Sequence, residues 1–227
     1  MAMLKLNLAN HNSIRKILCL GAHSDDIEIG CGGTLLKLAK AGVEVYWVVF
    51  SGDATRKAEA LRSANLFLKS VRRKTVVVKN FRESFFPHEG AHIKDFFEQL
   101  KQEFTPDIIF THHRHDLHQD HRTICDLTWN TFRNHLILEY EVPKYDGDLG
   151  IPNLFVHLDE ALCDKKVSHI LSSFKTQSTK HWFTEDTFRA LLRLRGVESC
   201  SPGKYAEAFH CRKVVLGCSD ARVGKKG

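Results

Sequence analysis

The sequence predicts one α/β domain, in which a doubly wound, mostly parallel sheet carries helices on both faces. Three observations lead to this class. Short apolar runs alternate with helix-like stretches over the first 135 residues. The run Val43–Phe50 is apolar on both faces, as a parallel strand covered by helices must be. Polar segments rich in histidine and aspartate follow the first and fourth runs, where doubly wound sheets bind their ligands.

The elements can be taken in order along residues 1–135. Runs of apolar and β-branched residues predict four strands, at Ile17–Gly21, Val43–Phe50, Thr75–Lys79 and Asp107–Thr111. Apolar residues at helical spacing predict three helices between them, at Gly32–Ala41, Arg56–Lys69 and Ile93–Phe104. Gly42 is expected to end the first helix and Pro106 the third. Such a series takes right-handed crossovers, and we expect the strand order 3-2-1-4.

The remaining residues are less regular and are expected to add elements to the same domain. Residues 136–216 are predicted to add an ordered excursion or lid, two helices and a last strand, at His135–Leu158, Val167–Phe174, Thr184–Arg195 and Phe209–Leu216. Thr184 has the character of an N-cap, and Gly196 that of a helix stop. Residues 217–227 are predicted to form a flexible tail.

Composition excludes several classes of protein. The 227 residues are 43% hydrophobic and 26% charged, as in ordinary globular domains, and no apolar run approaches the length of a membrane span. Seven cysteines without a CxxC pair argue against a zinc ribbon and indicate free thiols. Since the first residues hold no export signal, we expect a cytoplasmic protein without membrane insertion. The net charge of +6 suits a phosphorylated substrate or reflects scattered lysines, and without a nucleic-acid-binding motif no nucleic-acid partner is expected.

The first segment that carries chemistry is Gly21-Ala22-His23-Ser24-Asp25-Asp26, directly after the first predicted strand. A histidine and two carboxylates at this end of a central strand are costly to bury unless a cation accompanies them. His23 and Asp26 are three residues apart in a turn, so both can point toward one ion while Asp25 projects elsewhere. The alternative is that the two aspartates only favour the positive end of the next helix, and this segment alone does not decide between the two.

The second segment runs from Thr111 to Arg122, after the fourth predicted strand. It contains two aspartates and five histidines, namely Asp116, Asp120, His112, His113, His115, His118 and His121. Packing does not account for so many imidazoles, although a solvated polar loop would. The run His118-Gln119-Asp120-His121 opens a predicted helix that continues to Thr131.

The strand order 3-2-1-4 would bring the two segments together, because the first and fourth strands are then neighbours. Two imidazole nitrogens and one carboxylate oxygen leave a fourth coordination position for water, which is the pattern of catalytic zinc. Iron(II) also suits a shell of two histidines and one carboxylate. The sequence therefore predicts a divalent metal site, with zinc as the expected ion.

These two segments resemble the motifs A-H-P-D-D-E and H-x-D-H of the PIG-L/LmbE-like family of zinc-dependent N-acetyl sugar deacetylases. The resemblance implies an LmbE-like, Rossmann-like sheet and a zinc ion bound by His23, Asp26 and His121. It also implies a hydrolase that uses metal-activated water to remove an N-acetyl group from an amino sugar.

The same resemblance implies catalytic roles. Asp25 would be the general base that activates the water, and His118 would stabilise the tetrahedral oxyanion or protonate the leaving amine. Asp120 would hold an imidazole in orientation. Two positions depart from the family pattern: Ser24 replaces its proline, and Ile27 replaces its last acidic residue.

Three downstream stretches resemble a branch of this family associated with bacterial surface polysaccharides and sugar nucleotides: Glu139–Glu141, Pro143–Asp148 and Tyr205–Phe209. An N-acetylated sugar or sugar nucleotide is therefore the expected small-molecule partner. Arg56 and Lys180 are candidates for contact with a phosphate and Tyr145 for contact with a sugar, with ordinary surface or packing roles as the alternative for each. The sequence leaves the oligomeric state open, a homo-oligomer included.

Three other functions compete with deacetylation. Gly30-Cys31-Gly32-Gly33 suggests a dinucleotide-binding domain, but the G-x-G-x-x-G pattern is absent, and Asp25 and Asp26 would repel a pyrophosphate, so no such cofactor is expected. A metal-activated water would also serve a phosphoesterase. A non-catalytic metal-binding α/β domain would use the same histidines. The family resemblance is what favours amide hydrolysis.

Overall fold

The computed structural model describes residues 14–39 and 42–215, whose strands form one seven-stranded sheet in the order β3-β2-β1-β4-β5-β7-β6. The strands are β1 (Lys16–Gly21), β2 (Glu44–Val49), β3 (Arg73–Val78), β4 (Ile108–His112), β5 (Leu136–Tyr140), β6 (Leu154–Leu158) and β7 (Tyr205–Cys211). The helices are α1 (Asp26–Leu38), α2 (Ala54–Phe67), α3 (Gly90–Glu103), α4 (Gln119–Thr131), α5 (Glu160–Ser173) and α6 (Glu185–Glu198). The predicted doubly wound class and the order 3-2-1-4 are confirmed.

Strand β1 shows why the sheet is covered on both faces. The strands from β3 to β5 in this order are parallel, whereas β7 is antiparallel to both β5 and β6. Along β1, Ile17 and Cys19 enter the core that packs against α1, α2, α5 and α6. Leu18 and Leu20 enter the core that packs against α3 and α4. All four side chains are fully buried, so this part of β1 is continuously apolar and does not alternate between apolar and polar residues.

Helix α1 begins at Asp26, six residues before the predicted start at Gly32, so the polar segment itself enters the first turn. The glycines concealed this start, because glycine is a poor helix former. Here glycine is needed for close packing: a Cβ atom on Gly30 would lie 2.2 Å from Tyr140 Cδ2, and one on Gly33 would lie 2.6 Å from Leu158 Cδ1. The predicted end at Ala41 lies outside the described residues, and Gly42 has the positive φ of 76° expected of a helix stop.

The interpretation of His135–Leu158 as an excursion or lid is wrong at both ends, because β5 and β6 occupy them. Helix α5 begins at Glu160, capped by Asp159, well before the predicted Val167. Thr184 is the N-cap of α6 as predicted.

The predicted stop of α6 at Gly196 and the limits of the last strand also need correction. The helix continues to Glu198, because Gly196 serves close packing instead: a Cβ atom there would lie 2.0 Å from Lys204 O. The last strand is Tyr205–Cys211, where its pairing with β5 and β6 ends, and not the predicted Phe209–Leu216, of which Leu216 lies outside the described residues. The predicted tail from residue 217 lies outside the described residues.

A buried ion pair contacts the backbone of α1 along its middle turns. Lys166 Nζ, on α5, donates to Ile29 O at 2.6 Å and pairs with Glu207 Oε1 of β7, also at 2.6 Å. The two oxygens of Glu207 accept the backbone N–H groups of Gly33 and Thr34, each at 2.6 Å. Side chains from distant elements thereby satisfy polar groups along the helix that follows the first polar segment.

Over the described ranges, no helix is both long and apolar enough to cross a bilayer. The six cysteines in those ranges are free thiols, and four of them are buried. This agrees with the expectation of free thiols for these six positions.

Candidate metal and catalytic site

The two polar segments meet at the carboxyl ends of β1 and β4. These strands pair in parallel, with Ile17 opposite Ile108 and Cys19 opposite Phe110. The chain leaves β1 at Gly21 and β4 at His112, so the residues that follow emerge side by side. The crevice expected at the point where the strand order reverses is therefore lined by both segments.

Three side chains approach one another pairwise to 3.5 Å or less, and Asp26 faces the two imidazoles with different oxygens. His23 Nδ1 lies 3.1 Å from His121 Nε2 and 3.4 Å from Asp26 Oδ2, while His121 Nε2 lies 3.5 Å from Asp26 Oδ1. Ligands about 2.0–2.1 Å from a tetrahedral zinc ion are separated from one another by about 3.3 Å. All three side chains are buried. Their spacing and their donor atoms fit a divalent ion of this kind.

Within the described residues, two overlapping groups bring one ligand atom from each of three residues within 4.8 Å of one another, and each shares two residues with the predicted set: His23, His118 and His121, and Asp26, His112 and His121. His121 belongs to both groups and to the set predicted from the sequence. The candidate metal position is therefore centred on His121, with His112 and His118 beside it.

The two imidazoles differ in protonation. Burial disfavours a charged His23, but Asp26 and Asp120 outweigh it and raise the pKa of this imidazole to about 10. Burial and the neighbouring His112 lower the pKa of His121 to about 3. With these pKa values the proton stays on His23 Nδ1, which donates to His121 Nε2. A metal ion at this position would take the place of that proton.

Each of these imidazoles faces a carboxylate with its other nitrogen. His121 Nδ1 lies 2.9 Å from Asp116 Oδ2, and His23 Nε2 lies 3.2 Å from Asp120 Oδ2. Partners of this kind fix the orientation and tautomer of metal-binding histidines. The imidazole that Asp120 contacts is therefore His23. Sequence reasoning missed Asp116, although it stands within the histidine-rich segment.

His112 forms the floor of the site, a position that sequence reasoning left open. Its Nε2 accepts the backbone N–H of Ala22 at 2.9 Å and lies 3.3 Å from Asp26 Oδ2. Its ring stacks on that of His121, with 3.9 Å between centroids. His112 is fully buried, so its stacked ring gives His121 a fixed surface to pack against.

Asp25 lies beside the three candidate ligands without joining them. It is the N-cap residue of α1, yet its carboxylate makes no capping hydrogen bond, which argues against a purely helix-capping role. Its Oδ1 lies 3.4 Å from Arg56 Nη2, and Arg56 Nε donates to Ser24 Oγ at 2.9 Å. Burial and the adjacent Asp26 raise the pKa of Asp25, while Arg56 lowers it.

His118 stands at the start of α4 with one nitrogen directed into the site. Its Nδ1 accepts the backbone N–H of Asp120 at 3.2 Å, which caps the helix. A neutral imidazole that accepts at Nδ1 carries its proton on Nε2. Its ring packs 4.8 Å from that of His23 and 4.6 Å from that of His121, measured between centroids. Burial and His23 lower the pKa of His118, so the neutral form predominates at neutral pH.

A strained turn closes one side of the site. Ser84 has a φ of 67°, in the left-handed region that serine rarely adopts. Asp120 holds this turn, because its two oxygens accept the backbone N–H groups of Ser84, at 2.6 Å, and Phe86, at 3.2 Å. The same carboxylate therefore orients His23 and fixes the wall of the crevice, which no local sequence pattern indicated.

The three residues predicted to contact substrate occupy different surroundings. Arg56 is mostly buried and is shared between Asp25 and Glu83, whose Oε2 lies 3.5 Å from Nη1. Lys180 is exposed and near enough to Asp25 to lower the pKa of that carboxyl. Tyr145 is 71% exposed, and its hydroxyl accepts the backbone N–H of His181 at 3.3 Å. Of these three residues, only Arg56 has a described contact with the first polar segment, through Ser24 and Asp25.

His113 belongs to a separate cluster, termed here the Glu139 cluster: Glu139, His113, Arg114, Trp129 and His210. The buried Glu139 carboxylate accepts from His113 Nδ1 at 3.1 Å, from Arg114 Nη2 at 2.8 Å and from Trp129 Nε1 at 2.6 Å. The His113 ring stacks on His210, with 3.7 Å between centroids. Not all the histidines of the second segment therefore serve the crevice.

Comparison with known proteins supports the assignment of these motifs. The family model for GlcNAc-PI de-N-acetylase, PIG-L, matches residues 18–132, just over half of the chain. The uncharacterized deacetylase YaiS of Escherichia coli is 31% identical over 155 residues, which cover 60% of this chain and 79% of that protein.

Solved structures share the fold. The N,N'-diacetylchitobiose deacetylase of Pyrococcus horikoshii superposes with a TM-score of 0.69 at 24% identity, covering 91% of this chain and 86% of that one. The 4-carboxy-2-hydroxymuconate hydratase GalB of Pseudomonas putida superposes with a TM-score of 0.68 at 16% identity, covering 92% of this chain and all of that one. Because the fold carries both a deacetylase and a hydratase, the fold alone does not assign a reaction. The family match and the relative in E. coli do what the fold cannot: this chain belongs to the PIG-L family of de-N-acetylases.

Proposed function

We propose that this protein is a zinc-dependent hydrolase that removes the N-acetyl group from an amino sugar. The observation that carries the proposal is that His23, Asp26 and His121 approach one another pairwise to 3.1–3.5 Å. Asp25, which is not one of the candidate ligands, lies beside them. Membership in a deacetylase family supports the reaction class.

His23, Asp26 and His121 would hold the ion. When bound there, zinc supplies a Lewis acid that polarises the amide carbonyl and makes water more acidic. The roles of the remaining residues follow from their own atoms. Asp25 accepts a proton from the attacking water, since its carboxylate is buried, raised in pKa and free of the ligand set.

His118 and Arg56 would complete the reaction. The Nε2–H of neutral His118 donates a hydrogen bond to the tetrahedral oxyanion. When the C–N bond breaks, the leaving nitrogen takes a proton from Asp25 or His118, giving acetate and a free amine. Arg56 keeps Asp25 oriented and offsets part of its buried charge.

The sugar and its carrier are proposed from the surroundings of the crevice. Arg56 and Lys180 supply positive charge that suits a phosphate, as in a nucleotide-linked sugar or a precursor of a surface polysaccharide. The exposed ring of Tyr145 suits a sugar face. Free thiols among the described residues support the proposal of a cytoplasmic enzyme.

Metal analysis joined to a substrate screen tests the proposal. The purified protein is assayed for bound zinc and iron, then for amine release from N-acetyl sugars and nucleotide sugars, with phosphate release measured in parallel. Asp25→Asn is expected to lower kcat by about 10²–10⁴-fold while zinc stays bound. Asp126→Asn, at an exposed position of α4, is the matched control and should leave kcat unchanged.

The readouts separate the competing functions. Phosphate release without amine release would identify a phosphoesterase. Zinc binding with neither product would favour a non-catalytic metal-binding domain. An unchanged rate in Asp25→Asn removes Asp25 as the base.

A further inference from the structure

Lys144 is an almost buried cation close to the candidate site, and no step of the mechanism uses it. Its side chain is 9% exposed, and its Nζ lies 2.5 Å from Asp148 Oδ2, 3.0 Å from Asp116 Oδ2 and 3.8 Å from Asp146 Oδ2. Asp116 and Asp148 are themselves almost fully buried on either side of it. Removing one partner from a buried charge group is costly, so this contact is a fixed part of the structure.

The contact with Asp116 leads directly to a candidate ligand. Asp116 Oδ2, the oxygen nearest to Lys144, is also the one that faces His121 Nδ1 at 2.9 Å. Asp116 Oδ1 accepts the backbone N–H of His118 at 2.8 Å. Asp116 thus has three described partners, and Lys144 supplies the permanent positive charge among them.

The contact with Asp148 ties a second segment to the same point. Asp148 Oδ2 also accepts the backbone N–H of Leu117 at 2.7 Å. Residues 143–150 are therefore hydrogen-bonded to the loop that leads into His118 and His121. On the other side of this segment, Tyr145 reaches His181. Residues 143–150 thus bridge the metal-side loop and the stretch that holds Lys180.

We propose that Lys144 is a positioning residue, whose ammonium holds Asp116 behind His121 and fixes residues 143–150 as a wall of the substrate site. The inference rests on the proposed metal site. One side chain would thereby affect the affinity for metal and the affinity for substrate, although it would contact neither the metal ion nor the substrate.

The consequence of removing the charge is specific. In Lys144→Met, the carboxylates of Asp116 and Asp148 face each other without a cation between them. Their repulsion displaces Asp116 from His121 and Asp148 from Leu117. We expect zinc affinity to fall about tenfold, as for other partners of metal ligands. We also expect KM to rise by a larger factor than kcat falls, because the wall moves while Asp25 stays in place.

Zinc affinity is measured by competition with a chromophoric chelator, using the full-length protein and zinc alone. Lys165→Met, on the exposed side of α5, is the matched control. Lys144→Arg should restore both affinities, since it keeps the charge. Asp148→Asn combined with Lys144→Met should restore zinc affinity in part, because the opposing carboxylate is gone, whereas KM should stay high.

The outcomes separate this inference from the proposed function. Wild-type protein that binds no zinc overturns both. Wild-type protein that binds zinc but deacetylates nothing overturns the function alone, and the zinc titrations of the variants still decide the role of Lys144. Zinc affinity and KM within twofold of wild type in a folded Lys144→Met overturn the inference. If that variant does not fold, Asp148→Asn alone decides: a raised KM with near-normal zinc affinity supports the wall, and an unchanged KM overturns it.

Discussion

Two buried groups of histidine and carboxylate include residues of the loop that follows β4, and they differ in where their positive charge comes from. In the Glu139 cluster, Arg114 gives the carboxylate a permanent cation, at 2.8 Å. In the candidate metal site, the contacts described for Asp26 come from three imidazoles and the backbone N–H of His23. Imidazole charge depends on protonation, so the balance at Asp26 can pass from a proton to a metal ion.

This difference shows that histidines and carboxylates can either stabilise the fold, as in the Glu139 cluster, or form a candidate ligand site. A carboxylate paired with a guanidinium is satisfied by the fold and needs no ligand. A buried carboxylate among imidazoles is balanced by an imidazole only while that imidazole is protonated, so a metal ion can replace the proton. Clusters of histidine and aspartate in a sequence therefore gain meaning from the arginines and lysines that stand near them in space.

The largest expected effect lies at His121. His121→Ala should abolish zinc binding and lower kcat/KM by at least about 10³-fold, because the residue is common to every ligand group described. Metal content and deacetylation are measured on the same preparation. Glu139→Gln is the comparison variant and should keep its zinc. Retained zinc in folded His121→Ala would mean that the two clusters do not differ in the way described.

The second effect, at His118, tests whether the candidate metal site also holds an oxyanion donor. His118→Asn keeps an acceptor at the N-cap of α4 but removes the imidazole Nε2–H. We expect kcat to fall about 10²–10³-fold with zinc affinity unchanged. Single-turnover kinetics together with zinc titration measure the two quantities. A loss of zinc in step with the rate would show that His118 acts as a ligand instead.

The third effect concerns stability and belongs to the Glu139 cluster. Burial opposes ionisation of Glu139, but hydrogen bonds from His113 and Arg114 outweigh it and lower its pKa from 4.5 to about 2. Because the folded pKa is lower than the unfolded one, the stabilisation is present above about pH 4.5 and is lost as the pH falls toward 2. The difference corresponds to roughly 3 kcal/mol of unfolding free energy. Urea denaturation between pH 2 and 7 measures it.

Glu139→Gln should remove this part of the pH dependence and destabilise the protein near neutral pH. Its deacetylation rate, measured well below the unfolding midpoint, should stay within about twofold of wild type, since the hydrogen bonds described for Glu139 come from His113, Arg114 and Trp129 and not from a candidate ligand. A variant that loses activity but keeps its stability would contradict the division between the two clusters.

The smallest effect is expected at the exposed Tyr145. Tyr145→Phe removes only a hydroxyl that accepts one backbone hydrogen bond at an exposed position. We expect KM to change by less than about threefold, in keeping with the low value of exposed polar contacts. Tyr145→Ala, which removes the ring, should raise KM more if the ring packs on the sugar. Equal KM values for the two variants would mean that Tyr145 does not contact substrate.

The parallel strands and the crevice were predictable because each depends on local pattern and on topology. Continuous apolar runs such as Val43–Phe50 indicate strands buried on both faces, and parallel strands end at one edge. The pairing of β1 with β4 followed from the expected strand order 3-2-1-4. Strands β5 and β6 were missed because the prolines and glycines between them dominate the local signal.

Other features depend on contacts that no local pattern contains. Gly30 and Gly196 look like helix breakers, and each is instead required where another segment packs against a helix. Asp116 and Lys144 act through partners in separate loops, so their roles appear only when the loops are assembled. The positive φ of Ser84 likewise depends on a distant carboxylate.

The ion pair set against α1 has a consequence for synthesis of the chain on the ribosome. Glu207 is 174 positions downstream of Gly33, so α1 is translated long before the carboxylate that accepts the N–H groups of Gly33 and Thr34. A nascent chain released from the ribosome tunnel through α4 would carry every candidate metal ligand, but its first helix would still lack this support. A chain arrested before residue 207 would lack this support for α1, and we expect it to be a better substrate for proteases than the full chain.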